Sequence, residues 1–311
     1  MSVREHKILI VKLGYSETLV PEQRKQCSLG DVFRTTVLLH LFKNDRVTWL
    51  TDRAAVPLLA GNPYIARILT FDPVNILELE TERFDKVINL EKIPSICAMA
   101  DRIDAWNHYG FGYDPETRGV EAYEEAHAAL TMATSEDMKK LNDQCWAEVL
   151  YSMLGATWHG ENYILGYRPQ TREQYDLGFN MYVGKLMPVK AWPMAYWTQL
   201  AGLAEGRYTV SFQECLDDLN GYIDWINSCR ILITNDTLGL YLGVALGKKV
   251  LALFGPSSAT EQSPHERLRV LTPPLERDCM PCSRPRCALG DSCMRYLKPS
   301  MVFEAIREWC A

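Results

Sequence analysis

The 311-residue sequence has no excess of positive charge: Lys and Arg number 33 against 39 Asp and Glu, a net charge of −6. General nucleic-acid binding needs a positive surface that releases counterions, so that class is disfavoured, while a local basic site for an anionic substrate is not. Long apolar runs are missing as well. The longest weakly polar stretch, Ile231 to Gly247, is 17 residues and carries Asn235 and Asp236, too short and too polar for a membrane span. The charged start, Met-Ser-Val-Arg-Glu-His-Lys, leads into only four apolar residues before Lys12, which does not fit a signal peptide. A cytoplasmic protein is the expectation. Short-period repeats and low-complexity segments are lacking too. What remains is an ordinary globular balance, 47% hydrophobic and 23% charged, at about twice the usual domain length, so two domains are expected.

There are ten cysteines. Cys27, Cys97, Cys145, Cys215, Cys229 and Cys310 are scattered, and in a cytoplasmic protein these read as reduced, mostly buried thiols. Cys279, Cys282, Cys287 and Cys293 form a C-x2-C-x4-C-x5-C cluster. Four thiolates at such spacing suit a tetrahedral zinc or iron ion; reduced thiols in a loop, or disulfides formed on oxidation, are the alternatives.

Strands and helices alternate. Lys7–Leu13, Arg46–Leu50, Ile65–Phe71 and Asp85–Leu90 read as strands of the buried kind. Asp31–Lys43 has helical spacing, Asp52–Ala60 is a short helix, and Glu121–Leu154 reads as long and mostly helical. Polar Arg168–Asp176 is the candidate hinge. A second alternation follows: strands at Asn180–Val183, Tyr208–Phe212, Ile231–Thr234 and Lys249–Phe254, and helices at Trp192–Ala204, Leu219–Ser228 and Leu238–Leu246. The last helix, Pro299–Trp309, is amphipathic. The pattern predicts an α/β protein of two parallel-sheet halves, whose ligands sit beyond the carboxyl ends of the strands.

The most informative segment is Ile231 to Pro256, ILITNDTLGLYLGVALGKKVLALFGP. Asp236 and Thr237 stand where a helix begins, and the amides there, with the positive end of the dipole, suit an anion such as a diphosphate. Either residue could equally serve only as the helix cap.

The whole segment resembles glycosyltransferase family 9, the bacterial heptosyltransferases. Four more stretches agree in order: Ser28-Leu29-Gly30-Asp31-Val32 with Arg34-Thr35-Thr36, Thr48-Trp49-Leu50-Thr51 with Gly61-Asn62-Pro63, Phe84 to Leu90, and Val189-Lys190-Ala191-Trp192-Pro193. The resemblance runs from about Lys7 to Cys293. It implies the GT-B fold: two Rossmann-like domains facing a central cleft. The acceptor-side domain would be 1–167 and the nucleotide-sugar domain 168–298 with the cysteine cluster. Residues 299–311 would be a helix packing back on the first domain. It further implies an inverting sugar transfer, of heptose from ADP-heptose, onto a lipopolysaccharide core or related surface-glycan hydroxyl. Asp31 matches the family's general base, with a helix-cap role as the plain alternative. Lys190 matches its phosphate-binding lysine, and Asp236, Thr237, Leu238 and Gly239 match its donor-binding turn. Gly239, lacking a Cβ, would let a phosphate approach closely. No catalytic cofactor is implied. The partners would be a nucleotide-diphosphate sugar and a glycan or lipid-linked acceptor, with no nucleic acid; a lipid-linked acceptor would bring the protein to the inner membrane.

Several features depart from the family. The segment from Tyr15 to Cys27, with Arg24 and Lys25, lengthens the connection to Gly30-Asp31; it would border the acceptor site or be a solvated loop. Tyr241 stands where histidine is common. The extra strand and helix that carry an acidic ribose ligand are not found, and Glu214 is the one acidic residue offered in their place. The cysteine cluster would be a structural zinc or iron site away from Asp31; one branch of the family, which modifies proteins, holds iron through cysteines. Two other readings stay open: a related transferase with another donor or a protein acceptor, and a non-catalytic binding protein on the same fold. His108, His127 and His159 have no metal or relay spacing, and Trp146, Trp192 and Trp225 read as core rather than sugar platforms. Asn107–Gly112 (NHYGFG) reads as a loop, either ordinary or lining the acceptor side.

Overall fold

A computed structural model of the chain describes residues 5–15, 26–214, 218–275, 277–282 and 284–310. Arg24, Lys25 and Cys215 lie outside them. The chain divides into two units, Met1–Tyr167 and Arg168–Ala311.

In the first unit the strands are β1 (Lys7–Val11), β2 (Arg46–Thr51), β3 (Arg67–Thr70), β4 (Arg83–Asn89), β5 (Asp104–Asp114) and β6 (Gly119–Ala122), in the sheet order β3-β2-β1-β4-β5-β6. All neighbours are parallel except β6, which runs antiparallel to β5. β1 pairs on both edges, Ile8 with Val47 on one side and with Lys86 on the other. A central parallel strand is covered on both faces, and Ile8, Leu9, Ile10 and Val11 are accordingly all buried.

The helix predicted over Asp31–Lys43 begins as an α-helix, Leu29–Arg34, and continues as a 3-10 helix, Thr35–Phe42. The change falls at two β-branched residues whose hydroxyls donate back to the main chain, Thr35 to Asp31 O at 2.7 Å and Thr36 to Phe33 O at 2.7 Å. The long helix expected from Glu121 to Leu154 is broken into His127–Thr134, Glu136–Leu141 and Trp146–Ser152. Ser135 is extended and its hydroxyl accepts from the Met138 amide, while the Cys145 amide donates to the Glu148 carboxylate; each contact restarts a helix. The NHYGFG segment is not a loop but the middle of β5. Gly110 has φ 86° and a Cβ there would lie 2.0 Å from Asn89 O, so the glycine reflects a close backbone approach within the sheet.

The second unit is a parallel sheet of β7 (Tyr175–Asn180), β8 (Val210–Phe212), β9 (Cys229–Asn235), β10 (Lys249–Leu253) and β11 (Leu268–Leu271), ordered β11-β10-β9-β7-β8. β7 ends where the sequence was read to begin a strand. Gly178 sits in its middle because a Cβ would lie 2.4 Å from the Cys229 sulfur of the paired strand. The final helix, Pro299–Cys310, packs on the Met194–Ala204 helix of the second unit. Val302, Ala305 and Ile306 form one apolar stripe, spaced three and one apart, and join Trp197, Leu200 and Ala204 in the core. Among the described residues no helix is long and apolar enough to cross a membrane.

Candidate active site

Strand order locates the candidate sites. In the first unit the order reverses between β1 and β4, and in the second between β7 and β9; the crevices beyond those strand ends are where open α/β sheets bind ligands.

Asp31 stands near the first of these, in the opening turn of the Leu29–Arg34 helix. The cap position belongs to Ser28, three residues earlier, and the Ser28 hydroxyl donates to the Asp31 carboxylate instead of capping the helix. Arg34 holds the other carboxylate oxygen at 2.5 Å and lies 4.5 Å over the Trp146 ring, which makes Trp146 a platform for that guanidinium. The Asp31 carboxylate is thus fixed by a hydroxyl and a guanidinium rather than spent on a cap. Nearby, the Tyr15 hydroxyl donates to Asp52, and burial pushes the Tyr15 phenol up. Burial, then the charges of Asp52 and Glu91, push the Cys27 thiol up to about 12, so Cys27 is a neutral thiol and no thiolate nucleophile at neutral pH.

The second site assembles around Asn235. Its carbonyl oxygen accepts from the Trp192 amide at 3.0 Å and its amide donates to Met181 O at 3.1 Å. That clamp brings Lys190, two residues before Trp192, onto Asp236, one residue after Asn235: Lys190 Nζ and Asp236 Oδ2 are 2.6 Å apart. Tyr241 donates to the other Asp236 oxygen at 3.3 Å. Tyr241 thereby engages the turn. Asp236 is buried and Lys190 partly exposed.

Thr237 caps the Leu238–Ala245 helix by position, yet makes no side-chain cap bond. Its hydroxyl accepts from Asn180 at 3.1 Å; Asn180 also donates to Thr234 at 2.7 Å and accepts from Tyr222 at 2.8 Å. A Cβ on Gly239 would lie 2.2 Å from the Asn180 amide nitrogen and 2.4 Å from the Tyr222 hydroxyl. The glycine is thus demanded by packing against this polar network, whether or not a phosphate also comes close. Gly239→Ala should destabilise the protein by about 1–3 kcal/mol through overpacking, measured as the shift in the urea unfolding midpoint.

The four clustered cysteines lie in the second unit. Cys279, Cys282, Cys287 and Cys293 are free thiols near one another: burial and then the other three cysteines raise the Cys293 thiol. Yet among the described residues no three His, Cys, Asp or Glu side chains are grouped closely enough to hold a metal ion. Cys293 is buried against Gly255, where a Cβ would lie 2.9 Å from its sulfur, and the Cys287 thiol is directed onto Asp291 O at 3.4 Å. Four thiols have the chemistry zinc or iron accepts, and in this arrangement they are not drawn around one point. The plain readings hold elsewhere. His108 contacts Ile103 O at 3.2 Å, buried Trp192 donates to Leu297 O at 2.8 Å, and Trp225 donates to Ser211 at 3.0 Å. Glu214 lies on the exposed stretch after β8.

Asn180 closes β7 rather than opening a strand, and the roles of Tyr222 and Asn235 depend on partners distant in sequence, Asn180 for Tyr222 and Trp192 for Asn235. Lys12 and Glu91 also escape the sequence pattern, although a charged residue just past each of two apolar strand runs is the available signal. Both are fully buried.

Each unit is a Rossmann-like sheet, and the solved structures the chain superposes on are of the GT-B type. No family model matches the chain. Lipooligosaccharide heptosyltransferase 2 of two Campylobacter jejuni strains is 35% identical over 81 residues and 36% identical over 77. The matched part spans about a quarter of those curated relatives, 26% and 24%. A glycosyl transferase family 9 protein of Veillonella parvula superposes with a TM-score of 0.68 at 18% identity, covering 99% of this chain and 98% of that one. The E. coli heptosyltransferase WaaC with ADP-2-deoxy-2-fluoro heptose gives 0.60 at 16% identity, covering 97% and 99%. In fold over nearly its whole length, and in sequence over a quarter of it, the chain is similar to the family 9 heptosyltransferases.

Proposed function

We propose that this chain is an inverting glycosyltransferase that moves heptose from ADP-heptose to a hydroxyl of a lipopolysaccharide core or related surface glycan. The observation that carries the reading is the Lys190–Asp236 pair at the start of the Leu238–Ala245 helix, beyond the switch point of the second sheet. A lysine and a helix start together favour a diphosphate. In this reading residues 168–298 hold the donor through Lys190, Asp236, Thr237, Leu238 and Gly239, and residues 1–167 present the acceptor to Asp31.

Asp31 takes the proton from the acceptor hydroxyl as its oxygen attacks the anomeric carbon. The bond from that carbon to the diphosphate oxygen breaks on the opposite face, ADP leaves with the electron pair, and the configuration inverts. Lys190 offsets the charge that grows on the leaving diphosphate. The protein works in the cytoplasm, and a lipid-linked acceptor would draw it to the inner membrane surface. The test is calorimetric titration with ADP-heptose beside UDP- and GDP-sugars, followed by donor hydrolysis. ADP-heptose should bind best and turn over slowly without acceptor. Equal or absent binding of all donors at millimolar concentration would end this reading.

A further inference from the structure

The Glu91 carboxylate lies at the end of β4 with no exposure to solvent, and it meets three successive main-chain amides just past β1. Leu13 and Gly14 donate to one oxygen at 2.7 Å each, and Tyr15 to the other at 3.3 Å. Lys12 Nζ, also buried, stands 3.8 Å away. Consecutive amides converging on an anion at the switch point of a Rossmann-like sheet form the kind of cradle that elsewhere takes a bound phosphate. Here the protein fills the cradle with its own carboxylate.

The turn so held is tied to Asp31 by a short path. Gly14 has φ 79°, and its carbonyl accepts from the Ser28 amide at 2.9 Å. A Cβ on Gly14 would meet Ser28 O at 2.8 Å, so the two segments touch main chain to main chain. Ser28 O in turn accepts from the Val32 amide at 3.1 Å, and the Ser28 hydroxyl donates to the Asp31 carboxylate. We propose that Glu91 is a positioning residue: by fixing residues 13–15 it sets Ser28, and through Ser28 the aim of the Asp31 carboxylate. The catalytic half of this statement rests on the reading of Asp31 given above. The mechanical half does not.

The experiment uses the full chain with Glu91→Ala and Glu91→Gln. Hydrogen–deuterium exchange is followed over residues 28–36, and ADP-heptose hydrolysis is measured in parallel. Glu91→Ala should speed exchange across 28–36 and lower kcat on the order of a hundredfold, as expected for a small misplacement of a reacting group, while KM for ADP-heptose is unchanged. Formate, a carboxylate small enough for the vacated cradle, should slow the exchange again and restore turnover. Glu91→Gln keeps a carbonyl oxygen for Leu13 and Gly14 but opposes an N–H to the Tyr15 amide, so it should show the same changes at smaller size. It serves if the alanine variant does not fold. Unchanged exchange over 28–36 in a folded variant would overturn the proposal, as would faster exchange throughout the chain that formate does not reverse. If the wild type binds no ADP-heptose, the donor reading fails, and exchange over 28–36 still decides whether Glu91 positions Asp31.

Discussion

Asp31→Ala should lower kcat with ADP-heptose by about 10²- to 10⁴-fold, the usual contribution of a positioned general base, and leave ADP-heptose affinity unchanged. The proton of the acceptor hydroxyl, or of water in the slow hydrolysis, then has no carboxylate to receive it. Asp31→Asn should lose a comparable factor, because its amide can still accept from Ser28 but cannot take up a proton. The comparison matters because Asp31 has a second task. It pairs at 2.5 Å with the largely buried guanidinium of Arg34, which rests on Trp146. Removing the carboxylate should therefore also lower stability, by about 1–3 kcal/mol for a charged group that loses a partner. Thermal unfolding of both variants separates the two effects. If Asp31→Asn retains more than a tenth of the wild-type turnover, Asp31 is a structural anchor for Arg34 and the base lies elsewhere.

Strong local patterns were legible. The β-branched run before Lys12 and the run Ile231 to Thr234 are strands, and Leu219–Ser228 is a helix with the bounds read from its spacing. Asp31, Lys190 and the turn from Asp236 to Gly239 could be picked out because each lies in an ordered motif. What escaped depends on neighbours distant in sequence. Gly110 and Gly178 look like loop or breaker residues until the strand beside each is known, and then each is required by a close approach. The Glu121–Leu154 stretch has helical composition throughout, but Ser135 and Cys145 restart the helix by local capping that periodicity does not register. The final helix showed its apolar stripe, though a stripe names no partner; Trp197 and Leu200, about a hundred residues earlier, supply it. The cysteine spacing allowed a tetrahedral site but did not show the local contacts of the sulfurs, such as that of the Cys287 thiol with Asp291 O.

Lys190→Ala should lower kcat by about 10²- to 10³-fold, the effect of removing one group aimed at developing charge, and should raise KM for ADP-heptose as well. The geometry gives Lys190 two distinct readings. At 2.6 Å from Asp236 it could simply neutralise a buried carboxylate at a helix start. Alternatively, Asp236 could hold the ammonium in place for a diphosphate. The two differ in which ligand feels the loss. A lysine that meets the leaving diphosphate should matter more for ADP than for AMP, which lacks the second phosphate. Lys190→Ala should then weaken ADP binding tenfold or more beyond its effect on AMP, and the excess should shrink as salt rises. Asp236→Asn should lower the affinity for both nucleotides, because the Tyr241 contact at 3.3 Å and the Lys190 pair are disturbed together. In the double variant the loss specific to ADP should not grow further, since Asp236 acts on the diphosphate through the lysine it orients. If AMP and ADP weaken equally in Lys190→Ala, the pair is structural. The leaving group would then be stabilised by the helix start and its amides, and Asn180, which shapes that start through Thr237, would be the next residue to replace.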